Sequence, residues 1–307
     1  MLLRIAIGWH FLYEGLEKVE TTRKAGKAFT AEPYLRFSTG PLAPVFRGLI
    51  PDVNSIHKLN PDDRKASWKA DVDRIASHYH FDQAQRDKAQ LELKDSEDYA
   101  DIWFEDHETK ENRRKYFVEL GKVQAIEQNP NALSYERERA AAKRKDLDAD
   151  RRSLIADLDA RGESLRSAVT LLATPEQQKS AGPVVPPRTT LDWVNLSTMW
   201  GLVIMGVCLI LGLFSPLAAL AGAVFLGQIY LSMPPWPGLP ANPMAEGHYF
   251  IVNKNLIEML ACLALACIPT GSWIGIDALL FGGRRRRREL ARELAEAESE
   301  PASARSR

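Results

Sequence analysis

The sequence predicts an all-α protein, a four-helix transmembrane bundle interrupted by a large extramembrane helical insert that is partly coiled-coil-like. Three observations carry this expectation. Apolar residues gather at the two ends, Met1–Val19 and Ser197–Phe281, while the stretch between them is dense in Lys, Arg, Asp and Glu. No Asp, Glu, Lys or Arg occurs from Ser197 to Met233. Long Pro-free segments with helical periodicity fill the middle. Averages over the 307 residues hide the segregation, since net charge is zero and 45% of residues are hydrophobic. Read in sections, the chain divides into a first transmembrane helix (1–19), an extracytoplasmic insert (20–190), transmembrane helices two to four (191–281) and a cytoplasmic basic and disordered tail (282–307).

The N-terminal run LLRIAIGWHFLYEGLEKV contains His10, Glu14 and Glu17. A cleaved signal peptide is disfavoured, because His10 and Glu14 interrupt its apolar core and no clear small-residue cleavage site follows. We read a short first transmembrane helix, with an amphipathic surface helix as the alternative.

In the insert, Thr21–Pro51 reads as an ordered loop in which Pro41, Pro44 and Pro51 exclude a continuous helix. Asn60-Pro61-Asp62-Asp63 is a helix start, with a capping side chain, a proline in the first turn and acids near the positive end of the dipole. One helix is expected from there to about Leu93, a second over roughly 96–128, stopped by Asn129-Pro130-Asn131, and a third from Ala132 to about Ala173. Leu147, Leu154, Leu158, Leu165 and Leu172 follow heptad spacing, with Arg151 and Arg161 intruding on the seam. The seam needs a partner, and we expect the two preceding helices to supply it. The alternatives are another subunit, or a charged single helix that is partly disordered. The insert has no Cys. His57, His78, His80 and His107 show no established metal spacing, Gly162 belongs to no phosphate loop, and no metal site is expected.

The run from Ser197 to Met233 is too long for one crossing of a core about 30 Å thick. Ser215-Pro216 divides it into spans at roughly 196–213 and 217–233. PPWPGLPANP (234–243) reads as a rigid loop, with Tyr230, Trp236 and Tyr249 placed as interfacial aromatics. Tyr249–Ile268 is the fourth span, despite Lys254 and Glu258. The short stretch TGSWIGIDALLFGG is read as amphipathic, at the inner surface, with Asp277 toward the headgroups or the bundle end. Arg284–Arg288, five arginines just past the last span, place the C-terminus in the cytoplasm by the positive-inside rule. The competing reading of that block as a nucleic-acid patch is set aside, and no nucleic-acid partner is expected. Four spans then put Met1 inside and the insert outside.

RIAIGWHFLYEGLEK, GLVIMGVCLILGLFSPLAALAG, NKNLIEMLACLALA and GSWIGIDALL together resemble the DoxX family of small bacterial membrane proteins, which have a four-helix membrane core. The matching points are Arg4, Gly8, Gly15 and Lys18, then Gly212-Leu213 and Ala218-Ala219, then Lys254-Asn255-Leu256 and Ile276-Asp277. YLRFSTGPLAPVFRGLIPD resembles an enlarged, planctomycete-like subgroup with a long insert after the first helix. Some members have His where Glu14 stands, so the resemblance assigns that position no role. It implies a bacterial inner-membrane protein acting with partners. Relatives form part of a thiosulfate:quinone oxidoreductase or associate with membrane redox complexes, which makes quinone the candidate cofactor.

The residues themselves point to the ionisable groups in the apolar ends, because a charge in hydrocarbon is costly unless paired. His10, Glu14 and Glu17 share a face by helical spacing, as do Lys254 and Glu258. Matching depths along the first and last spans predicts a polar cluster of His10, Glu14, Lys254, Asn255 and Glu258, opening outward, with Glu246 and His248 capping the last helix. Interhelical bonds that only fix bundle geometry are the competing reading. Cys208, Cys262 and Cys267 lie in spans and read as small packing residues.

Two functions are expected, the first implied by the resemblance and the second by the large insert. One is an accessory subunit of a membrane redox or quinone-linked complex. The other is a non-catalytic anchor or adaptor displaying the insert. A small-solute carrier ranks last, since no inverted repeat is evident. The expected partners are the lipid bilayer, membrane or extracytoplasmic proteins, and a second copy of the chain.

Overall fold

The computed structural model describes residues 1–24, 28–240, 249–268, 270–272, 274–280 and 291. The tail and the candidate caps Glu246 and His248 lie outside them. In chain order the helices are α1 (Leu2–Arg23), α2 (Glu32–Arg36), α3 (Ala43–Gly48), α4 (Pro61–His78), α5 (Gln83–Glu105) and α6 (His107–Gln128). There follow α7 (Ser134–Leu171), α8 (Pro175–Ala181), α9 (Thr190–Leu211), α10 (Ser215–Ser232) and α11 (Lys254–Cys267). Among the described residues there is no strand beyond an isolated bridge between Tyr249 and Val252. The chain is all-α, as the sequence predicts. It forms two units, Met1–Ala31 with Leu191–Trp236 and Asn242–Arg307, and Glu32–Thr190 with Pro237–Ala241.

In the first unit α1, α9, α10 and α11 share an apolar core built on Ile7, Phe11, Leu202, Leu209, Ala219 and Leu226, completed by Cys262 and Leu265. The spacing of α1 and α9 is set by glycine. A Cβ on Gly206 would lie 2.5 Å from the Leu12 nitrogen and 2.7 Å from the Gly8 oxygen, so the two backbones touch. Close approach through small residues is how helices pack where no aqueous hydrophobic effect drives them together. The α9–α10 turn runs through Gly212 (φ +68) and Phe214 (φ 46), and Pro216 sits in the first turn of α10. The break therefore falls a few residues before the Ser215-Pro216 point, because the left-handed pair, not the proline, reverses the chain.

α9 and α10 are long and apolar enough to cross a membrane, by length and composition. The last helix is shorter than expected. Its 14 residues rise about 21 Å, because 249–252 close a turn and Asn253 caps the helix, accepting from the Leu256 nitrogen at 3.0 Å.

The second unit has two apolar cores along α7. Trp68, Val72, Leu93, Phe104, Leu158 and Val169 form one, and Leu59, Tyr116, Leu120, Leu147 and Ile155 form part of the other. α7 packs on α4, α5 and α6, so its seam is filled by three helices of its own unit. Leu147, Leu158 and Leu165 are buried as the heptads predict, while Leu154 and Leu172 are only half-buried and Ile155 and Val169 take up the adjoining positions. Arg151 is tolerated in the seam because Asp148 and Ser55 accept its hydrogen bonds at 2.9 and 3.0 Å. Arg161 is paired with Asp95 and Ser96.

The stretch from Asn60 to Gln128 is three helices rather than two. Asn60 caps α4 as expected, accepting from the Asp62 and Asp63 nitrogens. The chain then turns at Tyr79-His80-Phe81, with His80 at φ 53. Asp82 and Gln85 form a capping box that starts α5, and Asp106 caps α6 by accepting from the Thr109 nitrogen at 2.9 Å. The helix-forming residues on both sides of these breaks hide them from periodicity. Within Thr21–Pro51, α1 runs on to Arg23, and α2 and α3 are short helices.

Candidate functional site

Helical spacing from His10 through Glu14 to Lys18 aligns these three residues along one face of α1. Opposite them, Glu258 lies one turn beyond Lys254 on α11. His10 Nδ1 and Glu258 Oε1 stand 3.0 Å apart, with side chains 34% and 21% exposed. Phe11 lies beside His10, its ring centroid 6.2 Å away. The core face next to Glu258 is apolar, with Met259 and Cys262 packed into the bundle.

Of the five residues expected in the cluster, His10 and Glu258 are therefore joined directly. Glu14 bonds instead to Lys18, which also approaches the Glu14 carbonyl oxygen at 3.3 Å and lies 5.6 Å over the Phe29 ring. His10 and Lys254 act on Glu14 through space. Lys254 is exposed and Asn255 half-buried in the first turn of α11. Glu17 is exposed and does not share the buried face. Sequence reasoning left Lys18 out of the cluster, although the Glu14–Lys18 spacing was a visible signal for an ion pair on one helix.

At this end of α10 the aromatic residues form a chain. Trp236 Nε1 donates to the Tyr230 hydroxyl at 2.8 Å, and that hydroxyl donates to the Ile251 carbonyl at 2.7 Å.

A second polar knot, not foreseen as one, lies at the other end of α10. Arg4 is 1% exposed and donates to the Ile274 carbonyl at 2.9 Å. Asp277 accepts from the Phe214 and Ser215 nitrogens at 2.8 and 3.1 Å, while its own nitrogen donates to the Gly212 carbonyl at 3.0 Å. Of the two placements considered for Asp277, the bundle end is the one found.

The imidazole of His10 and the carboxylate of Glu258 can each take up or release a proton, so the pair can hold one between them beside an apolar wall. With Nδ1 turned to Glu258, the second ring nitrogen, Nε2, is left as a donor in the protonated ring. Cys208, Cys262 and Cys267 are free thiols, with Cys262 buried against the space left by Gly222. Among the described residues no three His, Cys, Asp or Glu side chains gather as metal ligands.

In the insert, His57 faces Asp63 and His78 faces the Gly182 carbonyl. A cleft of about 560 Å³ opens between α6 and α7, lined by residues including Lys115, Glu119, Lys143 and Asp150. Burial pushes the Tyr116 hydroxyl up to about 12, and it donates to the Asn54 carbonyl at 2.9 Å. Burial also works to raise Asp159, but hydrogen bonds from Lys58 and Arg64 prevail and hold it below the usual carboxylate range. Comparison with protein-family models, with curated proteins and with solved structures finds no match to this chain.

Proposed function

We propose that this chain is a DoxX-type integral membrane subunit supporting a membrane redox or quinone-linked complex. The observation that carries the reading is the His10–Glu258 pair, two proton-exchanging groups 3.0 Å apart on helices whose neighbouring faces are apolar. Polar pairs in such a setting mark proton or ligand positions. Outward-facing Trp9, Trp200, Ile204, Leu217 and Val224 would be costly in water and favourable against lipid, which supports a membrane around α1, α9, α10 and α11. In this reading all four helices are embedded in the bacterial inner membrane, both termini are cytoplasmic, and the second unit is extracytoplasmic. A quinone, if bound, supplies the two-electron chemistry. His10 would offer it a hydrogen bond, and Glu258 would hold His10 in position and accept or return its proton.

The test is Glu258→Gln beside His10→Gln, assayed in membranes for complex assembly and for quinone-linked electron transfer. The expected result is assembled complex with electron transfer lost. Loss of assembly together with activity would assign the pair to bundle geometry alone.

A second reading, a non-catalytic anchor that displays the second unit to extracytoplasmic or membrane proteins or to a second copy, is favoured by one observation. Glu32–Thr190 has its own two apolar cores and its own ion-pair network. Unaltered electron transfer in both variants would select it.

A further inference from the structure

The turn that feeds α11 is closed by a pair of backbone hydrogen bonds. Tyr249 and Val252 each donate a backbone N–H to the other's carbonyl, at 3.0 and 2.9 Å. The Ile251 carbonyl accepts from Tyr230, which Trp236 holds in place in turn. Asn253, buried, turns its side chain to the first turn of α11. Most polar groups at the base of the turn are thus satisfied within the protein. Its tip is apolar and uncovered, with Tyr249 and Phe250 72% and 71% exposed and Ile251 beside them. Phe250 holds φ 62, a left-handed conformation that a bulky side chain rarely adopts. A relaxed turn would carry Gly or Asn there, and strain of this kind is retained where the side chain has work to do.

Two further observations say what the tip meets. The exposed face of α11, through Ile257, Leu260 and Leu263, is apolar, and the exposed charge of Lys254 stands between it and the turn. And α11, at about 21 Å, is too short for a hydrocarbon core of about 30 Å.

We propose that Tyr249-Phe250-Ile251 is a lipid-inserted wedge, which completes the crossing begun by α11 and seats Phe250 at the boundary between headgroups and acyl chains. Non-helical backbone is costly at that depth unless its polar groups are met, and the Tyr249–Val252 pair and the Tyr230 bond to the Ile251 carbonyl meet those at the base of the turn. The partner is the bilayer itself. The proposal rests on the membrane reading given above.

The test replaces Cys208, Cys262 and Cys267 with Ala in the full chain, adds Phe250→Cys, attaches a nitroxide there and reconstitutes the protein into phosphatidylethanolamine–phosphatidylglycerol liposomes. Val224→Cys on α10 serves as the lipid reference, and Val118→Cys on α6 as the aqueous one. The expected result is that the Phe250 label, like that at Val224, loses collision with a water-soluble nickel complex and gains it with dissolved oxygen. A Phe250 label as open to nickel as that at Val118, with Val224 shielded, overturns the wedge and leaves the membrane reading standing. A Val224 label open to nickel overturns both. Tyr249→Cys, on the same tip but outside the left-handed position, gives the same readout should Phe250→Cys fail to fold.

Discussion

At the scale of single residues, Arg4 and Asp277 show how little of the first unit is visible to local reasoning. Arg4 stood in the sequence as one basic residue near the start of an apolar run. Its hydrogen-bond partner, Ile274, lies 270 positions away, and no spacing rule reaches that far. Asp277 closes the start of α10 through two backbone nitrogens and lies close enough to Arg4 to act on its charge. Replacing it with Ala leaves those donors unmet and removes the carboxylate that acts on the buried Arg4 guanidinium. Asp277→Ala should lower unfolding stability in detergent by about 1–3 kcal/mol through those unmet donors, and Arg4→Leu in the same background should recover part of that loss. Denaturant titration of the two single variants and the double variant measures it. Gly162 makes the same point in the insert. A Cβ there would stand 2.6 Å from Trp68 Nε1, so Gly162→Ala should cost about 1–3 kcal/mol by overpacking, read as a fall in the melting midpoint.

At the scale of elements, starts with strong chemistry were legible and quiet breaks were not. Asn60-Pro61-Asp62-Asp63 announced α4 because a cap, a proline and two acids coincide. The Asp82–Gln85 capping box carries the same information, but Gln, Ala, Arg and Lys surround it and continue the helical pattern across the gap. α7 was read nearly to its ends, since a long Pro-free segment with heptad-spaced leucines signals a helix even with Arg151 and Arg161 in the seam. Its ionic partners follow from packing, and so does a pH dependence. Asp159 on α7 is held below its ordinary value by Lys58 and Arg64. A depressed carboxylate adds stability that is present above its unfolded value, near pH 4, and is lost as pH falls through its folded value. The second unit should therefore lose stability below about pH 4, and Asp159→Asn should lower its melting midpoint at neutral pH while flattening that acid decline. Circular dichroism melts across pH check both.

At the scale of the whole molecule, each unit buries apolar residues of its own, and in the first unit large apolar side chains also face outward. The second unit runs from Glu32 to Thr190, with Pro237–Ala241. What the segregation of apolar from charged sequence could not supply was the direct contact between His10 and Glu258. Matching depth along two helices brings them to the same level but does not choose which pairs touch, and the ion pair between Glu14 and Lys18 competed with the broader cluster. Residues 32–190 carry two apolar cores and do not draw on the α1–α9–α10–α11 core. Expressed alone, they should give a soluble helical protein with a cooperative thermal transition. An insoluble or unfolded product would show that this unit depends on the first.

The contact between Gly206 and the Gly8–Leu12 stretch also sets a timetable for synthesis. About 200 residues separate the two sides, and at roughly 5–20 residues per second the ribosome needs about 10–40 s to make them. Throughout that interval α1 exists with its glycine groove open and His10 without Glu258, which is made later still. A newly made α1 therefore waits, and whatever shelters it must release it on the arrival of α9. The large insert acts, in effect, as a clock on assembly of the bundle.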